Sequence, residues 1–297
     1  MERPTVIVAL ALSPSLDVTY EVDELRRGEI TRPTTVTRVA GGKALNVVRV
    51  AHALGAPVQA VAALGGHSGA WVAELLAADG VPADIITLAA ETRVSSAIVE
   101  TGDATSSTDL YEPATPLRAA EWTAFSGAAV TAAGDRGAWV AISGSLPAGV
   151  GADDVAGLLH ALRDSGARVA VDSSGGGLRA MAPAADLIKV NRSEAEALLG
   201  EIHPDAASAA RSLHERYGCD AVVTDGVRGG AAVFDSHEYE VPRPGALGRY
   251  PAGSGDAFLG GLLTGLDRGD AASDALDLAR DAAERNARVA GQGILEP

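Results

Sequence analysis

The 297-residue chain has one cysteine, Cys219. A lone thiol forms no disulfide within the chain and supplies no cysteine-rich zinc site. It reads as a small buried hydrophobe ahead of a strand. Long apolar runs are also missing. VIVALAL, residues 6–12, falls well short of the roughly 18–20 residues that cross a bilayer. Its charge flank is weak, with Glu2 beside Arg3, and SPSLD follows at once, so it reads as a buried first strand and not as a signal. No membrane partner is expected, and the expected compartment is the cytoplasm. Cations are scarce: 24 Lys and Arg stand against 39 Asp and Glu, a formal net charge of −15. Such a surface repels a polyphosphate backbone, so nucleic acid is not an expected partner. A few local cations can still hold a small phosphorylated ligand.

Several catalytic signatures are absent. GGK at 41–43 resembles part of a P-loop, but that pattern needs Gly at 37 and Ser or Thr at 44, where this chain has Thr37 and Ala44. No G-x-G-x-x-G follows the first strand. No G-x-S-x-G elbow occurs, and HERYG at 214–218 lacks the second histidine of a zinc protease. The histidines are scattered and read as surface or core residues.

Apolar residues make up 47% of the chain, enough for a sizeable core. Strand-like runs alternate with Ala/Leu-rich helical runs, many of them closed by glycine. TVIVALAL, VQAVAALG, GAWVAISG, ARVAVDSS, DLIKVN, DAVVTDG and GAAVFD read as strands. KALNVVRVAHALG, SGAWVAELLAADG, ADDVAGLLHALRDSG, RSEAEALLG, AASAARSLHERYG and about 256–290, with breaks, read as helices. Repeated βα units of this kind build a largely parallel sheet covered on both faces. The expected fold class is α/β, with residues 1–297 as one domain. Two polar, β-branched excursions, about 13–40 and 92–115, fall outside the rhythm. They read as antiparallel strands forming one small sheet over the mouth of the main sheet.

Five segments carry candidate chemistry. In AGGKALN, residues 40–46, Gly41 and Gly42 let backbone approach a ligand, Lys43 adds a charge and Asn46 a donor and acceptor one turn on. A glycine turn with a solvated lysine fits equally well. Asp17, closing SPSLD after the first strand, can accept two sugar hydroxyls or form an Asx-turn. Asn191 and Glu194, in KVNRSE, can face one space and hold a hydrated Mg2+, or cap the next helix. The loop of VVTDGVRGG, residues 222–230, offers amides to a nucleotide or makes a hairpin. In YPAGSGDAFLGG, residues 250–261, Gly253, Ser254 and Gly255 would present N–H groups at a helix start. Asp256 there is a helix cap or a base for an attacking hydroxyl. Gly260, Gly261 and Gly265 in the following helix indicate close packing.

Taken in order, SPSLDVTYEVDELRRGEI, GGKALNVVRVAHALG, ETRVSS, YEP, SGSLPAGV, KVNRSEAE, TDGVRGG and GSGDAFLGG resemble the ribokinase-like (PfkB) family of sugar kinases over nearly the whole chain. The likeness is greatest to its 1-phosphofructokinase and tagatose-6-phosphate kinase branch. The resemblance implies a Rossmann-like α/β fold with a β-sheet lid, and ATP- and Mg2+-dependent phosphorylation of a ketohexose monophosphate, most simply fructose 1-phosphate, with tagatose 6-phosphate as another candidate. Asp256 would be the catalytic base, with Gly253, Ser254 and Gly255 as the anion hole. Asp17, Gly41, Gly42, Lys43 and Asn46 would hold the sugar, and Arg93 would clamp its phosphate together with Lys43. Asn191, Thr224, Asp225, Gly226, Gly229 and Gly255 would contact ATP, and Glu194 with Asn191 would organise Mg2+ through water. A homodimer formed by paired lids suits the exposed lid edges. The chain departs from the branch at Ser13, Ala44 and Ser95 near the sugar, and at Tyr250-Pro251-Ala252, where a ring would replace polar groups beside the nucleotide. These departures bear on substrate identity. They leave as alternatives a kinase of an unphosphorylated sugar or nucleoside, and a catalytically silent binding protein.

Overall fold

The computed structural model describes residues 6–102, 107–134, 137–245 and 248–296. Residues 1–5, which include the first residue of the expected strand TVIVALAL, and part of the turn expected around TGD (103–106) lie outside them. The chain runs β1 (Ile7–Ala11), β2 (Ser15–Val22), β3 (Thr35–Gly41), α1 (Lys43–Ala53), β4 (Val58–Gly65), α2 (Gly66–Ala78) and β5 (Ala83–Leu88). It continues with β6 (Arg93–Glu100), β7 (Ser107–Tyr111), α3 (Ala119–Ala133), β8 (Trp139–Ser143), α4 (Ala152–Asp164), β9 (Arg168–Asp172) and α5 (Gly175–Met181). It ends with β10 (Leu187–Asn191), α6 (Arg192–Leu199), α7 (Ala206–Tyr217), β11 (Asp220–Thr224), β12 (Gly230–Phe234), β13 (His237–Val241), α8 (Ser254–Arg268) and α9 (Ala272–Ala287).

The main sheet has nine strands in the order β13-β12-β11-β10-β9-β8-β1-β4-β5, parallel except for the β11-β12-β13 hairpins. Strand β1 is apolar throughout because both its faces are covered. Val8 and Leu10 join the core on one side, and Ile7, Ala9 and Ala11 the core on the other. From β1 the chain builds outward to β4 and β5, then returns to β8 and builds the opposite way. The strand order therefore reverses between β1 and β8, and a crevice opens beyond their carboxyl ends. The two excursions form a four-stranded lid, β3-β2-β6-β7. The α/β sheet with its small β lid is as expected, but the lid is not antiparallel throughout: two antiparallel pairs, β2-β3 and β6-β7, join through a parallel β2-β6 pairing.

Close helix packing fixes the geometry at that crevice. Helix α8 lies against α1 and α9, and a Cβ at Gly260 would meet the Val47 carbonyl at 2.7 Å. At Gly265 it would meet Ala275 Cα at the same 2.7 Å. The helix N-terminus is thereby seated firmly. Strands β5 and β13 and helices α3 and α5 did not stand out in the sequence. Strand β5 is a mostly exposed edge and α3 is Ala- and Gly-rich, so neither shows clear alternation. Cys219 is buried just before β11, as expected. No helix among the described residues is long and apolar enough to cross a membrane.

Candidate active site

Loops at the carboxyl ends of the strands and the lid enclose a cavity of about 410 Å³. Asp17, Gly42, Lys43, Arg93, Asn191, Glu194, Thr224, Gly253, Gly255 and Asp256 all line it. Segments more than 200 residues apart in the chain thus converge on one space.

Asp17 lies on β2, almost fully buried, and accepts hydrogen bonds from Ser15 Oγ and from the Gly42 amide at 3.3 Å. Burial pushes its carboxyl up, against the opposing pull of these two donors and of the Arg93 charge. Gly41 has to be glycine, because a Cβ there would overlap the Asp17 carboxylate. At Gly42, φ is +91°, a conformation that favours glycine, and the amide it frees reaches Asp17. Arg93 is held by the carbonyls of Ser13 (3.0 Å) and Glu112 (3.2 Å), while its Nε, though buried, has no partner among the described residues.

Lys43 opens α1 and donates to Asp172 Oδ1 at 2.8 Å. Lys189 donates to the other oxygen of the same carboxylate. Burial alone would raise Asp172, but the two ammonium groups outweigh it and hold its pKa below the usual carboxylate range. Burial likewise opposes the charge on Lys43, and the carboxylates of Asp172 and Asp256 overcome it and raise the ammonium. Lys43 therefore keeps company with Asp172, Asp256 and Glu194, whereas Arg93 answers to Asp17, Tyr111 and Glu112. The two cations expected to share one phosphate stand among different neighbours.

Asp256 sits in the first turn of α8, 6% exposed, and accepts a 2.8 Å bond from Asn46 Nδ2. Its pKa is pushed up to about 7, mainly by burial and next by the nearby Asp172 charge; Lys43, Asn46 and Lys189 pull it back. Such a carboxylate takes up and releases a proton near neutral pH. Asn46 is fully buried and backs Asp256 rather than facing the cavity. Ahead of it, Gly253 caps α8 with φ +82°. The N–H of Ser254 is occupied by the Pro251 carbonyl at 3.2 Å, and that of Asp256 by Gly253 at 3.0 Å. The amides of Gly253 and Gly255 meet no acceptor among the described residues, so they are the free donors at this helix start. Lys189 Nζ stands 3.0 Å from where a Cβ on Gly255 would lie.

A second, more apolar cavity of about 290 Å³ adjoins the first and shares Thr224 and Gly255 with it. Gly226, Gly229, Pro251, Phe258 and Ala287 help line it. Gly229, at φ +86°, lies so close to the Val241 carbonyl that any side chain there would collide with it. Asp225 lines neither cavity; its carboxylate pairs with Arg192 and Arg228 and braces the loop. Asn191 Oδ1 accepts from the Glu194 amide and Glu194 Oε2 from the Asn191 amide, both at 2.9 Å, a capping box on α6. Both residues nonetheless border the main cavity. Among the described residues no group of three His, Cys, Asp or Glu could grip a metal. That donor set suits a hydrated ion carried on phosphates, not an all-protein cage.

Sequence reading missed Asp172 and Lys189. The signal was present: each is a charged residue inside an apolar strand, near its carboxyl end. Tyr250 was expected to stand beside the nucleotide, but its ring lines neither of these two cavities. It turns to the lid, where its hydroxyl donates to Glu21 Oε1 at 2.8 Å.

A β lid over the switch point of a doubly wound sheet, with a buried carboxylate at a glycine-turn helix start, defines a ribokinase-like phosphotransferase. Residues 6–296 match the profile of the pfkB family carbohydrate kinases. The chain is 32% identical to a 1-phosphofructokinase of Haloferax volcanii over 294 residues, covering 97% of this chain and 93% of that one. It is also 32% identical to an ATP-dependent 6-phosphofructokinase isozyme 2 of Mycobacterium tuberculosis over 274 residues, 89% of this chain and 78% of that one. Among solved structures, phosphofructokinase-2 of Escherichia coli in complex with substrates and products superposes with a TM-score of 0.89 at 26% identity, covering 95% and 92%. The chain belongs to the pfkB family of carbohydrate kinases.

Proposed function

We propose that this carbohydrate kinase transfers the γ-phosphoryl group of ATP to a primary hydroxyl of a ketohexose monophosphate, fructose 1-phosphate being the first choice. One observation carries the reading: a buried carboxylate with pKa near 7, beside free helix-start amides, shares a cavity with a guanidinium whose Nε is unpartnered. A base near neutrality suits proton removal from a hydroxyl, and an arginine with donors to spare suits a phosphate already on the sugar. The first relative is a 1-phosphofructokinase, which favours the 1-phosphate.

In this reading Asp17, with the Gly41-Gly42 turn packed against its carboxylate, holds sugar hydroxyls, and Arg93 holds the sugar's phosphate. The nucleoside lies in the apolar cavity between the 226–229 loop and α8. Its phosphates extend past Thr224 and Gly255 into the main cavity. There the Gly253 and Gly255 amides and the positive end of α8 face the transferring group, with Lys43 and Lys189 alongside. Asp256 takes the hydroxyl proton as that oxygen bonds to the γ-phosphorus and the bond to the ADP oxygen breaks. Asn46 orients the carboxylate. Bound Mg2+, held through water by Asn191 and Glu194, would neutralise phosphate charge. Lid closure limits wasteful hydrolysis. Residues 1–297 act as one kinase unit, and two lids pair in a homodimer.

ADP release measured with a panel of sugars and sugar phosphates tests this. Turnover on fructose 1-phosphate well above that on fructose and nucleosides is expected. Preference for an unphosphorylated acceptor, or no turnover on any, overturns it.

A further inference from the structure

The lid's inner face runs from the sugar site to the glycine turn. Strands β2 and β6 pair in parallel with Ser15 opposite Arg93, Asp17 opposite Ser95, Thr19 opposite Ala97 and Glu21 opposite Val99. Alternation puts these pairs on one face of the lid. Its near end, with Asp17 and Arg93, lines the main cavity. Its far end, with Thr19 and Val99, roofs a small void whose other wall includes Tyr250, Pro251, Ala252 and Gln292.

At that far end stands the one residue where this chain puts an aromatic ring just ahead of the glycine turn. Tyr250 donates its hydroxyl to Glu21 on β2 and its amide to the Ala287 carbonyl of α9, at 2.8 and 2.9 Å. The next residues are fixed in turn. Asn286, fully buried on α9, donates to the Ala252 carbonyl at 3.0 Å, and Ser254 donates to Pro251 at 3.2 Å. The turn carrying Gly253 is thus anchored to the body by α9 and to the lid by one phenol. Burial and then the bond to Glu21 raise the phenol's pKa, so it stays a donor across the working pH range.

We propose that Tyr250 is a positioning residue whose bond to Glu21 couples the lid to the glycine turn, so that seating the sugar on β2 and β6 also sets the amides that face the nucleotide phosphates. Asp17 and Glu21 lie on the same strand, four residues apart, and move with it. Tyr250 and Gly253 lie on the same turn, three residues apart. A ligand that orders the strand therefore orders the turn, and by reciprocity a nucleotide that orders the turn favours the seated lid.

The proposal rests on the sugar-phosphate reading for one arm of its test and is independent of it in the other. In the first arm, the affinity of a non-hydrolysable ATP analogue is measured with and without fructose 1-phosphate in wild type, Tyr250→Phe, Glu21→Ala and the double variant. Wild type is expected to tighten by about fivefold or more, the lower end of ordinary coupling. Each single variant falls to under about twofold, and the double variant goes no lower, because both changes remove one bond. Full coupling in Tyr250→Phe overturns the proposal. In the second arm, amide hydrogen exchange is followed without ligands. Tyr250→Phe is expected to exchange faster in both 16–22 and 251–256, with 7–11 unchanged. Acceleration confined to one segment, or absent from both, overturns it. If fructose 1-phosphate does not bind wild type at all, the substrate reading fails and the exchange arm alone decides on the tie.

Discussion

The Asp256 carboxylate offers a sharp pH test. Its pKa is pushed to about 7 by burial first and Asp172 second, while Asn46 is among the groups that pull it down. If Asp256 is the base, only its ionised form works, so activity rises with pH and levels off above 7. Below 7, kcat/KM falls about tenfold per pH unit, and at pH 6 roughly a tenth of the carboxylates are ionised. Two substitutions push this limb in opposite directions. Asp172→Asn removes a neighbouring negative charge, so Asp256 ionises more readily and the limb moves to lower pH by about one unit, equivalent to about 1.4 kcal/mol. Asn46→Ala removes a hydrogen bond to the charged form, a contribution of about 1.5–3 kcal/mol, and the limb moves up by about one unit or more. Asp172→Asn also loosens Lys43 and Lys189, so its plateau rate falls as well; the position of the limb is what discriminates. The assay is ADP release at sub-saturating sugar from pH 5 to 9, with coupling enzymes in excess. A wild-type limb below pH 5, or both variants moving the same way, refutes the assignment of Asp256 and its surroundings.

Other consequences follow from the same geometry. Arg93→Ala raises KM for the sugar phosphate with little change in kcat, whereas Lys43→Ala, which lies beside Asp172 and Asp256, mainly lowers kcat; steady-state kinetics at several sugar concentrations separate the two. Asp256→Asn lowers kcat by several orders of magnitude yet raises the melting temperature at pH 8. A carboxyl whose pKa is raised by folding loses its proton first in the unfolded state, so its cost to stability grows as pH rises from about 4 to 7, to at most about 4 kcal/mol. The neutral amide escapes that cost, and calorimetry shows a stabilising effect at pH 8 that is markedly larger than at pH 5 and vanishes toward pH 4. Gly253→Ala forces a left-handed alanine, at about 1–2 kcal/mol, and sets its Cβ 2.9 Å from Gln292 Cβ; ATP affinity falls more than sugar affinity, read by titration of each alone.

Much of this site is written locally in the sequence. The glycines at 41 and 42 lead into α1, Gly253 caps α8 and Asp256 lies in the first turn of α8, so each of these residues stands out where a helix begins. The βα rhythm fixes the sheet because helices cover both its faces. What local pattern does not carry is which side chains meet across the fold. Asp172 and Lys189 sit within apolar strands and look like core exceptions until the sheet places β9 beside β10 and the two charges together. Asn46 looked like a sugar ligand because it stands one turn beyond Lys43. The packing of α8 on α1 instead buries it behind Asp256. Tyr250 was expected to face the nucleotide from its place in the chain, but its direction depends on where the lid lies. Edge strand β5 carries no alternation to find, since only its end is buried.

In the proposed function this carbohydrate kinase acts on a sugar that already bears a phosphate. The most direct measurement is 31P NMR of the purified chain with ATP, Mg2+ and fructose 1-phosphate, beside the same mixture containing fructose. Growth of ADP together with a second phosphomonoester on the fructose 1-phosphate carbon skeleton is expected, with little change in the fructose mixture. Phosphorylation of fructose with fructose 1-phosphate left untouched would contradict it.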